Sequence, residues 1–89
     1  MLEVAMYYTY VLLSLMDGRF YTGFTKDLKL RFEQHRKGEV QSTRDRGPLE
    51  LIYYEACLDQ KDAVKREKYL KTYHGKQYLR RRLKSYLTG

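Results

Sequence analysis

The 89-residue chain contains one cysteine, one proline and no tryptophan. A single cysteine can form neither a disulfide within the chain nor a thiolate metal cluster of the zinc-finger type. Cys57 lies in an apolar run, which predicts a small buried apolar side chain. The fold must therefore be held by its own packed core, which is thin in a chain of this length.

Long hydrophobic runs are also missing, since no stretch approaches the ~20 apolar residues of a membrane-spanning helix. The first residues, Met1-Leu2-Glu3-Val4, have neither the basic region nor the apolar length of a secretory signal peptide. These absences argue against a membrane partner. They predict a cytoplasmic protein with one domain over residues 1–89.

Positive charge is abundant and unevenly placed. The formal net charge is +7, but residues 1–60 carry 8 Lys/Arg and 9 Asp/Glu, whereas residues 61–89 carry 10 and 2. A basic segment of this kind indicates a polyanionic partner, and nucleic acid is favoured over a membrane surface. The alternative is a basic helix face that is merely solvated. DNA is the predicted partner, with RNA as the second candidate.

Two tyrosine-bearing segments flank Asp17-Gly18, and this pairing is a strong signal for a β-hairpin. If Ser14 pairs with Arg19 across a four-residue loop, Tyr10 faces Gly23, and Tyr21 lies on the same face as Tyr10. A one-residue slip would separate the two tyrosines. Gly23 removes a side chain where a neighbour or a ligand approaches the backbone.

Helix signals follow the hairpin. Thr25 is a plausible N-cap for a helix from about Lys26 to Lys37, with Gly38 closing it. Leu28, Phe32 and His35 recur at helical spacing and form the inner stripe. Arg31 is four residues from His35, so both side chains are predicted at one border of that stripe.

The second half of the chain reads as a loop, a strand and two helices. Residues 39–48 are polar, and residues 49–57 form a third strand with Leu51 and Tyr53 on one face. Asp59 starts a helix that runs to about Lys71 and ends at His74-Gly75, before a last helix over residues 76–87. Glu67 falls on the buried stripe of the first of these helices, together with Ala63, Leu70 and His74.

The predicted element order is β-β-α-β-α-α. It indicates an α/β (α+β) fold with a small three-stranded, mostly antiparallel sheet flanked by helices. A carboxylate on a buried stripe is normally paired or bound to a metal, because an unpaired buried charge is costly.

Hydrolysis of a phosphodiester needs an activated water, a cation for the phosphate charge and stabilisation of the leaving oxygen. Five side chains could supply these functions if they open onto one groove. Each of them alone is more often structural. The candidates are Tyr10, Tyr21, Arg31, His35 and Glu67.

Taken together, these residues resemble the GIY-YIG endonuclease superfamily from about Tyr7 to Leu70. Tyr8-Thr9-Tyr10 matches the first motif and Tyr21-Thr22-Gly23 the second, with ten residues between the two key tyrosines. The family's helical arginine falls on Arg31, its histidine or tyrosine position on His35, and its glutamate on Glu67. The resemblance is strongest to the small single-domain branch, described as excinuclease-ABC-subunit-C-like or UPF0213-type.

That resemblance implies a metal-dependent endonuclease that hydrolyses phosphodiester bonds in DNA, in repair or processing. It implies one divalent cation, Mg²⁺ or Mn²⁺, on Glu67, and Arg31 on the scissile phosphate. Tyr21 would be the general base, with Tyr10 beside it. Because an unperturbed tyrosine titrates near ~10, a nearby cation must favour the phenolate.

The chain departs from the family pattern by containing no asparagine, and Gln77 is the candidate substitute for the usual asparagine motif. No separate recognition module is visible, so we expect structure-selective rather than base-specific action. Targeting would use its own basic surface, a homodimer or a protein partner. The predicted phosphate contacts are Thr43, Arg44, Arg46, Lys76, Arg80, Arg81 and Lys84.

Two other functions remain open. One is a nucleic-acid-binding module that does not cut, as the missing asparagine would suggest. The other, less favoured, is a restriction or mobile-element nuclease, which normally carries a recognition domain.

Overall fold

A computed structural model describes residues 4–89. Within this range no helix has the length and apolar character needed to cross a membrane. The chain folds into three strands and four helices. In chain order they are β1 (Tyr7–Ser14), β2 (Phe20–Thr25), α1 (Leu28–Arg36), β3 (Leu49–Cys57), α2 (Gln60–Leu70), α3 (Tyr73–Arg82) and α4 (Lys84–Thr88).

The three strands form one antiparallel sheet with β1 at its centre, in the order β2-β1-β3. The hairpin has the predicted register. Tyr10 faces Gly23, Leu12 faces Tyr21, and the Ser14 N–H donates to the Arg19 carbonyl at 2.9 Å. Directly opposed residues share a face of a sheet. Tyr10 and Tyr21 therefore lie on the same face, as predicted.

A β-bulge in β3 overturns one predicted face. Val11 pairs with Tyr53 and Leu12 with Leu51, so Ile52 is an extra residue opposite β1. A bulge interrupts the alternation of side chains. Leu51 therefore shares the Tyr10 face, whereas Tyr53 lies on the opposite face. The predicted common face of Leu51 and Tyr53 is wrong.

The main core lies on the face opposite Tyr10. Val11 of β1, Leu70 of α2 and Leu79 of α3 are fully buried there. The Thr9 hydroxyl donates to the Ala63 carbonyl at 3.0 Å and ties β1 to α2. Helix α1 covers the Tyr10 face instead. The central strand is thus enclosed by α2 and α3 on one side and by α1 on the other.

Helix α1 begins two residues later than predicted. Thr25 is the last residue of β2, and Asp27 is the N-cap, with its carboxylate accepting from the Leu30 N–H at 3.1 Å. Asp stabilises an N-terminus more strongly than Thr because its charge also favours the helix dipole. Gly38 ends the helix as predicted, with a positive φ of 76° that suits glycine.

The boundary between α2 and α3 lies earlier than predicted. Helix α2 ends at Leu70, and the Thr72 hydroxyl caps α3 by accepting from the Gly75 N–H at 3.1 Å. His74 and Gly75 therefore lie in the first turn of α3 and do not break a helix. His74 is exposed and lies outside the buried stripe of α2. The predicted last helix is divided at Leu83 into α3 and α4.

Cys57 is half-buried at the end of β3, where its thiol lies 3.5 Å from the Asp59 carbonyl. The predicted full burial is wrong because the strand ends at the edge of the molecule.

Candidate active site

A cavity of about 470 Å³ opens beside the edge strand β2. Strand β2 contributes residues from both of its faces, and side chains of α1, α2 and α3 complete the wall. All five candidate residues predicted from the sequence border this single cavity. Its lining includes Tyr10, Tyr21, Gly23, Arg31, His35, Ser42, Glu67, Lys71 and Lys76.

Tyr10 is the centre of a hydrogen-bonded network in the wall of this cavity. Only 3% of it is exposed, and its hydroxyl lies 2.9 Å from His35 Nε2. Arg31 Nε donates to the same hydroxyl at 3.4 Å. Burial raises the pKa of Tyr10, an effect that Arg31 opposes. Tyr10 is therefore neutral at physiological pH and holds other groups in place.

Gly23 makes room for the Tyr10 side chain on the neighbouring strand. A Cβ at Gly23 would collide with the Tyr10 hydroxyl and would lie 2.6 Å from Tyr10 Cζ. The close approach expected at this glycine is therefore made by Tyr10. The absence of a side chain allows the Tyr10 ring to lie across β2.

His35 connects Tyr10 to the loop that follows α1. It is 6% exposed, and its Nδ1 lies 2.7 Å from the Thr43 hydroxyl. Burial, and then the nearby Arg31 charge, lower the pKa of His35 to about 4. The imidazole is therefore neutral at pH 7. One consistent chain of donors runs from Arg31 to Tyr10, from Tyr10 to His35 Nε2, and from His35 Nδ1 to Thr43.

Arg31 is held on both sides. Its Nε donates to Tyr10, and its Nη1 donates to the Gln34 side-chain oxygen at 3.2 Å. A guanidinium has five N–H donors in a rigid plane. The remaining donors can bind an anion in the cavity without loss of these two contacts.

Tyr21 lies at the mouth of the cavity and is half-buried. Its hydroxyl donates to Asp17 Oδ2 at 3.4 Å. The Arg19 N–H donates to the other Asp17 oxygen at 2.9 Å, and this bond lowers the pKa of the Asp17 carboxyl. Asp17 is thus an ionised acceptor, and the Tyr21 lone pairs remain available to the cavity.

Glu67 reaches the cavity from α2, on the opposite side of the sheet from Arg31. Its side chain is 18% exposed, and its Oε2 lies 3.2 Å from Lys71 Nζ. Among residues 4–89, no three His, Cys, Asp or Glu side chains form a cluster that could hold a metal. Mg²⁺ commonly takes one or two carboxylates and completes its shell with water and phosphate oxygens. A single carboxylate at the wall of a wet cavity fits that donor set.

The predicted phosphate contacts divide into three groups. Thr43 is only 1% exposed and its hydroxyl is hydrogen-bonded to His35, so the prediction that it contacts phosphate at the surface is wrong. Lys76 lines this cavity, whereas its neighbour Gln77, the candidate substitute for asparagine, does not. The remaining predicted cations are exposed and do not line this cavity; they are Arg44, Arg46, Arg80, Arg81 and Lys84.

Two contributors, Gln34 and Lys71, were not predicted from the sequence, and a third, Thr43, was predicted in a different role. Gln34 follows Arg31 by three residues, and Lys71 follows Glu67 by four. Helical spacing alone could therefore have predicted both contacts. The contact between Thr43 and His35 could not have been predicted from helical spacing, because Thr43 lies outside the helix. Its contact with His35 depends on the path of the loop over residues 39–48.

Comparison with known proteins identifies the family of the chain. The model of the GIY-YIG catalytic domain matches residues 6–82. UPF0213 proteins of Staphylococcus aureus strains Mu3 and N315 are each 40% identical to the chain over 65 residues, which cover 72% of this chain and 79% of each relative.

A solved structure shows the same fold. The solution NMR structure of a UPF0213 protein from Bacillus halodurans matches with a TM-score of 0.52 and 32% identity, over 83% of this chain and 81% of that one. The motif residues, the three-stranded sheet and these relatives lead to one conclusion: the chain belongs to the GIY-YIG family of nuclease-type domains, in its small UPF0213-type branch.

Proposed function

We propose that this protein is a divalent-metal-dependent endonuclease that hydrolyses phosphodiester bonds in DNA. Its action is structure-selective, on branched, flapped or single-stranded DNA, and it serves repair or processing in the cytoplasm. Family membership supports nuclease chemistry and a nucleic-acid substrate. The finer points are inferred from the site.

One observation carries the proposal. A buried network holds the Arg31 guanidinium at the wall of a cavity that also contains Tyr21 and Glu67. A structural role for Arg31 would not require a cavity in front of it. A preorganised cation beside a polar cavity is what stabilisation of a pentavalent phosphate requires, because the donors need not reorganise during the reaction.

The residues divide the work as follows. Arg31 binds the non-bridging oxygens of the scissile phosphate. Tyr21 takes a proton from the attacking water and passes its own proton to the Asp17 carboxylate. The new P–O bond forms as the bond to the leaving oxygen breaks, and the leaving oxygen takes a proton from solvent. Tyr10 and neutral His35 position Arg31 and do not carry a proton.

Glu67 would hold the divalent cation, with water and phosphate oxygens as the other ligands. A metal bound there supplies Lewis-acid stabilisation of the charge on the phosphate and the leaving oxygen. When no metal is bound, Lys71 neutralises the Glu67 carboxylate, so Lys71 and a divalent cation would compete for Glu67.

A non-cutting binding module is the second candidate. The Glu67–Lys71 ion pair favours it, because a carboxylate that serves only to hold a lysine needs no metal. The lysine would then contribute to a purely cationic groove.

The decisive test is cleavage of a panel of branched, flapped, single-stranded and duplex DNA with Mg²⁺ and with Mn²⁺. We expect nicking that falls by at least about 100-fold in Arg31→Ala and in Glu67→Ala, as for loss of one preorganised charge-stabilising group. Tyr21→Phe keeps the ring and should lose comparable activity.

Glu33→Ala and Arg36→Ala are the matched controls. These residues form an exposed ion pair on α1 outside the cavity, and their loss should leave cleavage unchanged. If the wild-type protein binds DNA but cuts no substrate with either metal, the binding module is the correct function.

A further inference from the structure

A second cavity continues the candidate active site towards the hairpin turn. This turn cavity, of about 510 Å³, shares Phe20, Tyr21 and Lys76 with the 470 Å³ cavity of the candidate active site, which we term the catalytic cavity. Its other lining residues are Asp17, Gly18, Arg19 and Arg80. The shared residues make the two cavities one groove along β2, from Phe24 at one end to the Asp17-Gly18 turn at the other.

The turn cavity has an excess of positive charge. Arg19, Lys76 and Arg80 line it, and within residues 4–89 none of the three is in an ion pair. Its one carboxylate, Asp17, already lies 3.8 Å from Arg46 Nε and accepts backbone and tyrosine donors. Three cations therefore face the cavity without a carboxylate of their own, which favours an anionic ligand.

Arg80 is held in place for such a ligand. Its Cζ lies 5.0 Å from the centroid of the Phe20 ring, within the range of a cation–π contact. Phe20 in turn packs against the main core. An arginine that is stacked on a fixed ring has lost part of its freedom, and its planar guanidinium can bind a phosphate through two parallel N–H donors.

The spacing separates this site from the scissile phosphate. Phe20 and Phe24 are four residues apart in β2, or about 13 Å at the rise of an extended strand. Successive phosphates of one duplex strand rise by about 3.4 Å along the helix axis. The groove is therefore long enough to contact more than one phosphate of the same strand.

We propose that Arg19, Lys76 and Arg80 form a second phosphate subsite, which binds a different linkage of the same DNA strand from the one bound by Arg31. Contacts at both ends of the groove fix the direction in which the strand crosses Tyr21. The inference rests on the proposed function in taking DNA as the substrate, but it does not require hydrolysis.

A neutral-linkage scan tests the subsite. The full chain is mixed with a branched DNA in metal-free buffer, and affinity is measured by fluorescence anisotropy while one phosphate at a time is replaced by an uncharged methylphosphonate. We expect two separate windows of lost affinity for the wild-type protein. The window that disappears in Arg31→Gln marks the catalytic cavity.

Arg80→Gln and Arg19→Gln should each weaken binding of the unmodified DNA by about tenfold, the effect of one charged hydrogen bond. Each should also abolish the second window and keep the first. Arg82→Gln is the control, because Arg82 lies two residues after Arg80 on α3, is exposed and lines neither cavity. It should keep both windows.

The subsite is overturned if Arg80→Gln and Arg19→Gln keep the second window, or if the wild-type protein shows only one. Cleavage with Mg²⁺ or Mn²⁺ is scored separately. Cutting with a single window would leave the nuclease proposal intact, and two windows without cutting would leave the subsite intact.

Discussion

At the scale of single residues, the site depends on a histidine that does not carry charge. His35 joins Tyr10 to Thr43, and its burial disfavours the imidazolium. Protonation would turn Nε2, which accepts from Tyr10, into a donor and would place a second cation beside Arg31. The network that positions Arg31 is therefore linked to pH.

The linkage predicts acid sensitivity. The pKa of His35 is about 4 in the folded chain and 6.5 in its ordinary state, so the unfolded chain binds the proton more readily between these values. Stability is full above about pH 6.5 and falls as the pH is lowered towards 4, by up to about 3 kcal/mol. Chemical denaturation at a series of pH values measures this change.

Two variants identify the source of the pH dependence. His35→Gln should flatten the profile between pH 4 and 6.5, whereas His74→Gln, at an exposed site on α3, should preserve it. Asp17 and Glu33 begin to contribute near their ordinary pKa values of 3.8 and 4.5, at the acid end of this range, because the fold lowers the pKa of each carboxyl. An unchanged slope in His35→Gln would show that His35 is not the titrating group.

At the scale of elements, the joint between α2 and α3 brings Glu67 and Lys76 to the same cavity. Lys71 and Thr72 separate the two helices, and Gly75 lies in the first turn of α3. A Cβ at Gly75 would overlap the Tyr69 carbonyl and would lie 2.5 Å from Leu70 Cα. These are backbone atoms of a packed helix and cannot move aside.

Gly75→Ala should therefore destabilise the protein although alanine favours helices by about 1 kcal/mol over glycine. Because the overlap is with backbone atoms, the overpacking cost should lie at the upper end of the usual range of about 1–3 kcal/mol, which leaves a net loss of about 2 kcal/mol. We expect a fall in Tm of at least about 4 °C, measured by circular dichroism. Arg81→Ala, at an exposed position of the same helix, should change the Tm little. A Gly75→Ala variant as stable as the wild type would refute the close packing of the two helices.

At the scale of the whole molecule, the basic half of the chain is only partly directed at the groove. Lys76 and Arg80 border it, together with Arg19 and Arg31 from the first half. Other cations predicted to bind DNA are exposed elsewhere. Arg46 already faces Asp17, and Arg44 lies beside a small separate cavity near His35.

The number of phosphates that the protein contacts can be estimated from the salt dependence of DNA binding. Arg19, Arg31, Lys76 and Arg80 form no ion pair among residues 4–89. If each of these four groove cations contacts one phosphate of a duplex, log affinity should fall with log salt concentration with a slope of about −3.6. Affinity would drop by roughly 100-fold between 50 and 200 mM salt. A slope near about −7 would mean that Arg44, Arg46, Arg81 and Lys84 also bind, as the sequence alone predicts.

The five candidate site residues show how far sequence reasoning reaches. Ten residues separate Tyr10 from Tyr21, and the Asp17-Gly18 turn sets the register that puts both on one face. Helical spacing similarly keeps Arg31 beside His35. These relations are local, because turn geometry and backbone periodicity depend on neighbouring residues alone.

Two helix boundaries were predicted wrongly because neighbouring residues gave competing signals of nearly equal strength. Thr25 and Asp27 are both good N-caps, and the choice went to Asp27 because Thr25 was retained by β2. His74-Gly75 resembled a helix end, but Gly75 is required there by contact with α2. Packing between elements decided both cases, and a single sequence does not display it.

The sequence by itself determined the chemistry that is available: tyrosines on one face of a hairpin, a cation and an imidazole on one helix, a lone carboxylate on another, and a basic second half. Only the tertiary structure decided how these parts meet. It placed Glu67, from the opposite side of the sheet, in the cavity beside the edge strand β2, and it placed Thr43 within hydrogen-bonding distance of His35. It also joined Arg19 to Arg80 in one groove. Such contacts depend on how elements distant in sequence pack, whereas spacing along the chain constrains only near neighbours.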